Sequence, residues 1–360
     1  MKTYNIGYLP GDGIGPEVAA EGVKVLRAAM KTNGFDCNFV EYPYSGEYYL
    51  KTKELVPDRV IEEWKGLDAV YLGAIGHPDV EPGLVESSVI LGLRFGLDLY
   101  VNLRPIKLYA ERLCPLKDVQ PADLDFVVAR ENTEGEYAQI GGILKKGTPD
   151  EVATVTSIYT RKGVERIVRY GYELARARAS TRPDKRARLT LVDKANAIRP
   201  HDIWTRTMAE VGQEYADVEQ DHAYVDACTM WMIKKPKWFD VIVTTNLFGD
   251  IITDLGATLQ GGLGVAASGN LHPGKTSMFE PIHGSAPKYA GKNVACPIGA
   301  IMAVNMMLDY LGEKTAAAQI EASVAHLLSS GKIPSLDTSS GLSTTQIGDM
   351  VVEDMRKREA

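Results

Sequence analysis

Residues 4–30 read YNIGYLPGDGIGPEVAAEGVKVLRAAM, and this stretch decides the fold class. YNIGYL is a short, largely apolar strand. PGDGIG, residues 10–15, is a glycine-rich turn. PEVAAEGVKVLRAAM then carries apolar residues at helical spacing, with Pro16 in the first turn, where a missing N–H costs nothing. Strand, tight turn and amphipathic helix form the repeating unit of α/β proteins. Outward from this stretch the same rhythm continues. CNFVEY (37–42), DAVYLG (68–73), LYVNLRP (99–105), LDFVVARE (124–131), RLTLVD (188–193) and FDVIVTTN (239–246) read as strands, with helical segments between most of them. That alternation predicts an α/β protein with a largely parallel, doubly wound sheet. One region breaks it. AQIGGILKKGTPDEVATVTSI, residues 138–158, holds glycines and a proline between β-prone runs and predicts a hairpin-like excursion, an arm. No internal repeat or low-complexity linker separates one half of the chain from the other, so two interleaved domains are expected.

The totals exclude several classes of function. The chain has 360 residues, 45% of them hydrophobic, which is enough for a large core and suggests two domains. Its formal net charge is −7, and no basic cluster offers a surface for nucleic acid or an acidic membrane. The four cysteines, Cys37, Cys114, Cys228 and Cys296, are scattered without a CxxC pair. Free thiols in a reducing compartment are therefore expected, not a zinc site. The N-terminus reads directly as a strand and no apolar run is long enough to span a bilayer, so a cytoplasmic protein is expected.

NLFGDIITDLG, residues 246–256, places Asp250 and Asp254 one helical turn apart within an apolar run. Two acids on one face repel each other. The pair is either a solvated helix face or part of a divalent-cation site built from oxygen ligands. Asp226 is a third acid able to complete an Mg2+ or Mn2+ site with room for substrate and water. His222 lies nearby in sequence, but a lone histidine is more often structural. Ligands of open α/β sheets bind beyond the carboxyl ends of the strands. Arg104 closes one strand. Arg130 closes another and is followed by Glu131, Glu134 and Tyr137. Asp193, Lys194 and Asn196 close a third. With Arg94, ten residues before Arg104, three arginines would suit a substrate with two or more carboxylates, because the planar guanidinium grips a carboxylate through two bonds. Taken singly, each is equally at home in a surface ion pair. PGDGIG is not the GxGxxG of dinucleotide sites. The second glycine-rich stretch, FEPIHGSAPKYAGKN (279–293), offers the backbone N–H groups of Gly284, Ser285 and Ala286 to a phosphate or a sugar edge. A plain tight turn is the other reading of both.

LPGDGIGPEV, NLRP, RENTEGEY, NLFGDIITDLG and FEPIHGSAP, in that order, resemble the β-decarboxylating dehydrogenases, a family that includes isopropylmalate, isocitrate, homoisocitrate, D-malate and tartrate dehydrogenases. The resemblance runs from about residue 4 to about residue 355. It implies an isopropylmalate/isocitrate dehydrogenase-like doubly wound sheet without the standard Rossmann topology. One cofactor-side domain would come from residues 1–101 and 262–360. A central dimerisation and metal-site domain, 102–261, would carry an arm at about 138–158 that interlocks with a second subunit. Arg94, Arg104 and Arg130 match the arginines that hold the malate portion, Tyr137 the acid, Lys194 the base, and Asp226, Asp250 and Asp254 the metal ligands. The lysine and first aspartate enter from the other subunit in that family, which implies a homodimer with shared active sites. Glu280, His283, Gly284, Ser285, Ala286, Lys288, Tyr289, Cys296 and Asn196 are the implied cofactor-binding positions.

The expected reaction is metal-dependent oxidative decarboxylation of a (2R,3S)-3-alkylmalate-type 2-hydroxy diacid. Specificity in the family comes from the helix before the first arginine. Ser88 is present, but Ile90 and Leu91 stand where isocitrate and homoisocitrate enzymes carry polar groups, and with Val89 they suggest an apolar wall. Burying an unpaired carboxylate there is costly. Burying an isopropyl group gains roughly 1.5–3 kcal/mol, so 3-isopropylmalate is the first expectation. YVNLRP, RENTEGEY and TRKGVERIVRYGYELA look like the D-malate and tartrate enzymes, which remain the alternative, followed by an isocitrate-type enzyme or its non-catalytic regulatory subunit. Lys288 replaces the acid that holds an NAD ribose and Cys296 replaces an adenine-binding asparagine, so NAD or NADP is left open with a lean towards NADP.

Overall fold

The computed structural model describes residues 2–182 and 184–359. In chain order its strands are β1 Lys2–Gly11, β2 Phe35–Glu41, β3 Ala69–Ala74, β4 Val101–Lys107, β5 Asp125–Glu131, β6 Gly141–Leu144, β7 Val152–Val155, β8 Ala187–Asp193, β9 Val218–Tyr224, β10 Val241–Thr244, β11 Ala267–Leu271 and β12 Ser277–Pro281. The chain divides into two compact units. Unit 1 comprises Met1–Leu99, Arg104–Leu124 and Ala257–Ala360; unit 2 comprises Tyr100–Leu103 and Asp125–Gly256.

In unit 1 the strands lie in the order β2-β1-β3-β12-β11. All neighbours are parallel except β11 and β12, which run antiparallel. Every residue of β3, AVYLGA, is buried, as expected of a parallel strand covered on both faces. Val70 and Leu72 join a core with Trp64, Val60, Val89 and Leu93. Tyr71 points the other way. Its hydroxyl donates to the carbonyl oxygen of Ala300 at 3.0 Å and lies where a Cβ on Gly22 would collide with it. The first helix, Gly15–Asn33, starts on Pro16 and ends on Gly34 in the left-handed conformation (φ 71°). It packs on Ile298–Leu311, Lys314–Ser329 and Thr344–Glu359.

Residues 104–124 pack within unit 1, whereas the sequence grouped them with the central segment. Specific bonds hold them there. Lys107 pairs with Glu321 at 2.6 Å, its backbone N–H donates to Gln260, and Arg112 donates to the carbonyl oxygen of Ile333 at 2.6 Å.

In unit 2 the order is β5-β10-β8-β9, all parallel. Helix Arg161–Ala179 covers β5, β8 and β10. The 138–158 segment forms an antiparallel hairpin of β6 and β7, exposed along its whole length. β9 was not legible in the sequence because VEQDHAY is an edge strand with mostly polar, solvent-facing residues. The four cysteines are free. Among the described residues no helix is long and apolar enough to cross a membrane.

Candidate active site

Unit 2 gathers the chemistry at the carboxyl ends of its strands, where open parallel sheets bind ligands. Arg130 ends β5 level with Thr244 at the end of β10. Helix Asn246–Leu259 begins two residues after β10. Arg130 is 1% exposed. Its Nε and Nη2 donate to Asn246 Oδ1 at 3.0 and 2.7 Å, and Nη1 pairs with Asp250. The Tyr137 hydroxyl donates to the other Asp250 oxygen at 3.0 Å, and the Tyr137 ring centroid lies 5.4 Å from the guanidinium. Helix position 249 must be glycine for this to fit, since a Cβ there would sit 2.5 Å from Arg130 Cγ. A buried cation is costly unless neutralised; here a carboxylate and an amide oxygen do so. Asp254, one turn beyond Asp250, is exposed.

Lys194 follows the end of β8 and Asp226 follows the end of the adjacent strand β9; the two form an ion pair. The Lys194 ammonium holds the Asp226 carboxyl below its usual value, so the carboxylate is ionised at neutral pH. His222 Nε2 donates to the buried carboxylate Oδ1 of Asp193 at 3.1 Å, a structural contact. Glu131 and Glu134 also prove structural. Glu131 accepts the N–H groups of Thr133 and Glu134, and burial raises its pKa. Glu134 accepts the N–H of Thr160 at the start of helix Arg161–Ala179. Asn196 is exposed in the loop after Lys194.

Among the described residues no three His, Cys, Asp or Glu side chains converge on a point fit for a metal ion. Strand order explains why Asp226, Asp250 and Asp254 do not meet in one chain. β8 stands between β9 and β10, so their ends lie about 10 Å apart, two strand spacings. As donors, Asp250 and Asp254 suit a hard divalent cation that also takes water and substrate oxygens.

In unit 1, Arg94 is buried and its Nε donates to Asn270 Oδ1 at 3.1 Å. Asn270 in turn donates to Glu280 at 2.8 Å, and Glu280 lies 3.8 Å from the guanidinium. Arg104, on β4, is also buried. The segment before Arg94 is not a regular α-helix. Residues 87–91 form a π-type turn in which the Gly92 N–H reaches back to the carbonyl oxygen of Ser87. Val89 turns into the core, leaving Ile90 and Leu91 half-buried. The Ser88 hydroxyl accepts the N–H of Val56 at 2.9 Å.

The two glycine-rich stretches of unit 1 touch: the Ile14 N–H donates to the carbonyl oxygen of Ser285 at 2.8 Å. His283 has a neutral ring, because burial lowers its pKa. Its Nδ1 lies 3.1 Å from the carbonyl oxygen of Gly284, which places the proton there and leaves the buried Nε2 as an acceptor with no partner. Gly284 faces open space, and Ala286 holds a left-handed conformation (φ 40°). An orphaned acceptor beside an unhindered backbone is what an incoming ribose or adenine donor would satisfy, so the loop fits a nucleotide cofactor. Lys288 is exposed with its ammonium 4.7 Å from the Tyr289 ring, and the ammonium lowers the Tyr289 pKa. Cys296 is buried and its thiol is pushed up to about 12, so it offers an adenine no ionised sulfur. Asn246 and Asn270, which orient Arg130 and Arg94, escaped the sequence reading because an uncharged amide draws no notice there, although Asn246 opens the NLFGDIITDLG segment itself.

A family model described as isocitrate/isopropylmalate dehydrogenase matches residues 5–351. The 3-isopropylmalate dehydrogenase of Thermobifida fusca is 48% identical over 356 residues, 98% of each chain. That of Corynebacterium glutamicum is 44% identical, covering 98% of this chain and 99% of its own. The crystal structure of isocitrate dehydrogenase from Methylococcus capsulatus superimposes with a TM-score of 0.86 at 35% identity, covering 98% of this chain and 99% of that one. The chain belongs to the isocitrate/isopropylmalate dehydrogenase family. It is a β-decarboxylating dehydrogenase of the kind that uses a nicotinamide cofactor and a divalent metal.

Proposed function

We propose that the chain oxidises and decarboxylates 3-isopropylmalate to 2-oxo-4-methylpentanoate, a step of leucine synthesis, as a homodimer with shared active sites. The observation that carries the substrate is the near full-length likeness to enzymes named for it. Half-buried Ile90 and Leu91 ahead of Arg94 support an isopropyl group over a third carboxylate.

In this reading Arg94, Arg104 and Arg130 orient the malate carboxylates. Asp250 and Asp254 of one chain, with Asp226 of a second copy, hold Mg2+ or Mn2+. A metal bound there supplies Lewis-acid polarisation of the substrate oxygens. Lys194 would take the substrate hydroxyl proton and Tyr137 would deliver a proton to carbon; a bound nicotinamide would supply the hydride acceptor. His283, Gly284, Ser285 and Ala286 receive the cofactor. Lys288 in place of an acid supports a relaxed or NADP-leaning preference.

The dimer is supported by unit 2. The β6–β7 hairpin exposes Ile143, Leu144, Val152 and Val155, and helices Val225–Lys234 and Asn246–Leu259 expose Met230, Ile233 and Ile251. A lone two-stranded hairpin is marginal in water, so an apolar partner surface suits it.

The test is cofactor reduction with Mn2+ on 3-isopropylmalate, D-malate, tartrate and isocitrate, each with NAD and NADP. Preference for 3-isopropylmalate supports the reading; activity on D-malate or tartrate alone overturns it. Lys194→Met is expected to abolish turnover while substrate still binds. A strong NAD preference unchanged in Lys288→Asp refutes the NADP lean.

A further inference from the structure

Behind Lys194 a directional chain of hydrogen bonds crosses unit 2. The backbone N–H of Lys194 donates to His201 Nδ1 at 3.2 Å. A backbone N–H can only donate, so Nδ1 is an acceptor and the ring proton resides on Nε2. Nε2 lies 3.1 Å from the Tyr159 hydroxyl oxygen and donates to it. Tyr159 then donates to Glu136 Oε1 at 3.3 Å, and Ser157 donates to the same oxygen at 2.7 Å. Glu136 is the residue before Tyr137 and opens the short turn Glu136–Ala138 that carries it. The chain therefore begins at the main chain of the proposed base and ends beside the proposed acid.

His201 is well placed to hold both ends. It is 1% exposed, and burial lowers its pKa, which keeps the ring neutral and the donor–acceptor direction fixed. The Tyr159 ring meets it edge to face with centroids 4.9 Å apart. Its other neighbour is the Phe248 ring, 5.5 Å away on the helix that bears Asp250 and Asp254. One imidazole thus touches the Lys194 main chain, the tether of the Tyr137 turn and the metal-site helix.

We propose that His201 is a positioning residue for the reaction, with Tyr159 as its partner, and that together they hold Lys194 and the Tyr137 turn in register. This rests on the functional reading above. In a dimer with shared sites, Lys194 and Tyr137 of one chain serve different active sites, so the chain His201–Tyr159–Glu136 also links the two centres through one subunit. The geometric logic is that a displacement of about 1 Å at a reacting group costs on the order of 100-fold in rate.

Three variants test this. His201→Leu removes both bonds, His201→Asn keeps an acceptor for the Lys194 N–H, and Tyr159→Phe deletes one hydroxyl from a fold otherwise intact. Two readouts are taken on the full-length protein. The first is hydrogen exchange of the Lys194 amide, which needs no activity. It is expected to speed up about 10-fold or more in His201→Leu and to stay parental in His201→Asn. The second is steady-state kinetics. His201→Leu is expected to lower kcat about 10- to 100-fold with KM for the diacid within about two-fold. His201→Asn recovers most of the loss, and Tyr159→Phe lowers kcat several-fold without changing the melting temperature. Equal exchange rates in all variants overturn the proposal. So does a parental kcat in His201→Leu and Tyr159→Phe, or a fall in kcat that tracks the melting temperature and is not rescued by Asn. A parent that turns over no 2-hydroxy diacid fails the functional reading instead, and the exchange result cannot be mistaken for that failure.

Discussion

The turn at residues 10–15, with three glycines, and the loop at 283–286, with one, both stand at the carboxyl end of a strand in unit 1, yet they differ in what they leave unsatisfied. In the first, Asp12 is 3% exposed and its carboxylate accepts the backbone N–H groups of Gly46, Glu47 and Gly76 at 2.8–3.0 Å. Gly11 and Gly13 take left-handed conformations, and a Cβ on either would sit within 2 Å of the carbonyl oxygen of Ala74 or Ser285. This turn is spent on holding its neighbours. In the second loop Gly284 meets nothing within 4 Å and His283 keeps an unpartnered acceptor. Glycine content does not distinguish a phosphate cradle from a structural turn; what separates them is whether polar groups are already partnered within the fold.

The largest effect that would sharpen this contrast is that of Asp12→Ala. Three N–H groups, one buried and two partly buried, lose a charged acceptor, and stability is expected to fall by about 2–4 kcal/mol in urea denaturation. A variant of parental stability with a raised cofactor KM would make this turn a cofactor site and break the comparison. Next, Gly13→Ala is expected to cost about 2 kcal/mol or more, from strain at φ +60° and the clash with Ser285. Gly284→Ala should leave stability within about 0.5 kcal/mol while raising the cofactor KM. Equal melting temperatures for the two variants would erase the distinction. His283→Leu should raise the cofactor KM about 10-fold, the worth of one hydrogen bond of about 1.4 kcal/mol, with thermal stability nearly unchanged.

The smallest effect concerns pH. The folded-state pKa of His283 is depressed from 6.5 by burial, so the unfolded chain binds this proton first as pH falls. Its contribution is fully present above about pH 6.5 and is lost as pH drops towards the folded value. The parent should therefore lose stability relative to His283→Asn as pH falls below about 6.5. A difference of the opposite sign would mean that the ring is charged in the folded state.

Much of the site was legible because its parts lie close in sequence. Asp250 and Asp254 share a face by helical spacing alone, and Arg130 and Tyr137 stand in one strand–turn segment. Asn246 and Asn270 were not legible: each acts on an arginine more than 100 residues away, and an asparagine carries no charge pattern to betray it. β11 and β12 were missed because ASGNL and SMFEP lack the β-branched alternation that marks a strand, yet both are buried or nearly so between neighbours.

The sequence by itself determined the α/β alternation, the strand-end charges at Arg130 and at Asp193–Lys194, the exposed hairpin and the family, whereas Arg104 proves to lie within β4 rather than at its end. These follow from local periodicity and motif spacing, which a chain carries before it folds. Only the tertiary structure decided that Val89 is fully buried and Ile90 packs half-buried on the same core while Leu91 does not join it, because residues 87–91 form a π-type turn. It alone decided that the first glycine turn is consumed by Asp12, and that Asp226 ends two strands away from Asp250. Strand order and the satisfaction of buried polar groups depend on partners far along the chain, and no local pattern encodes them.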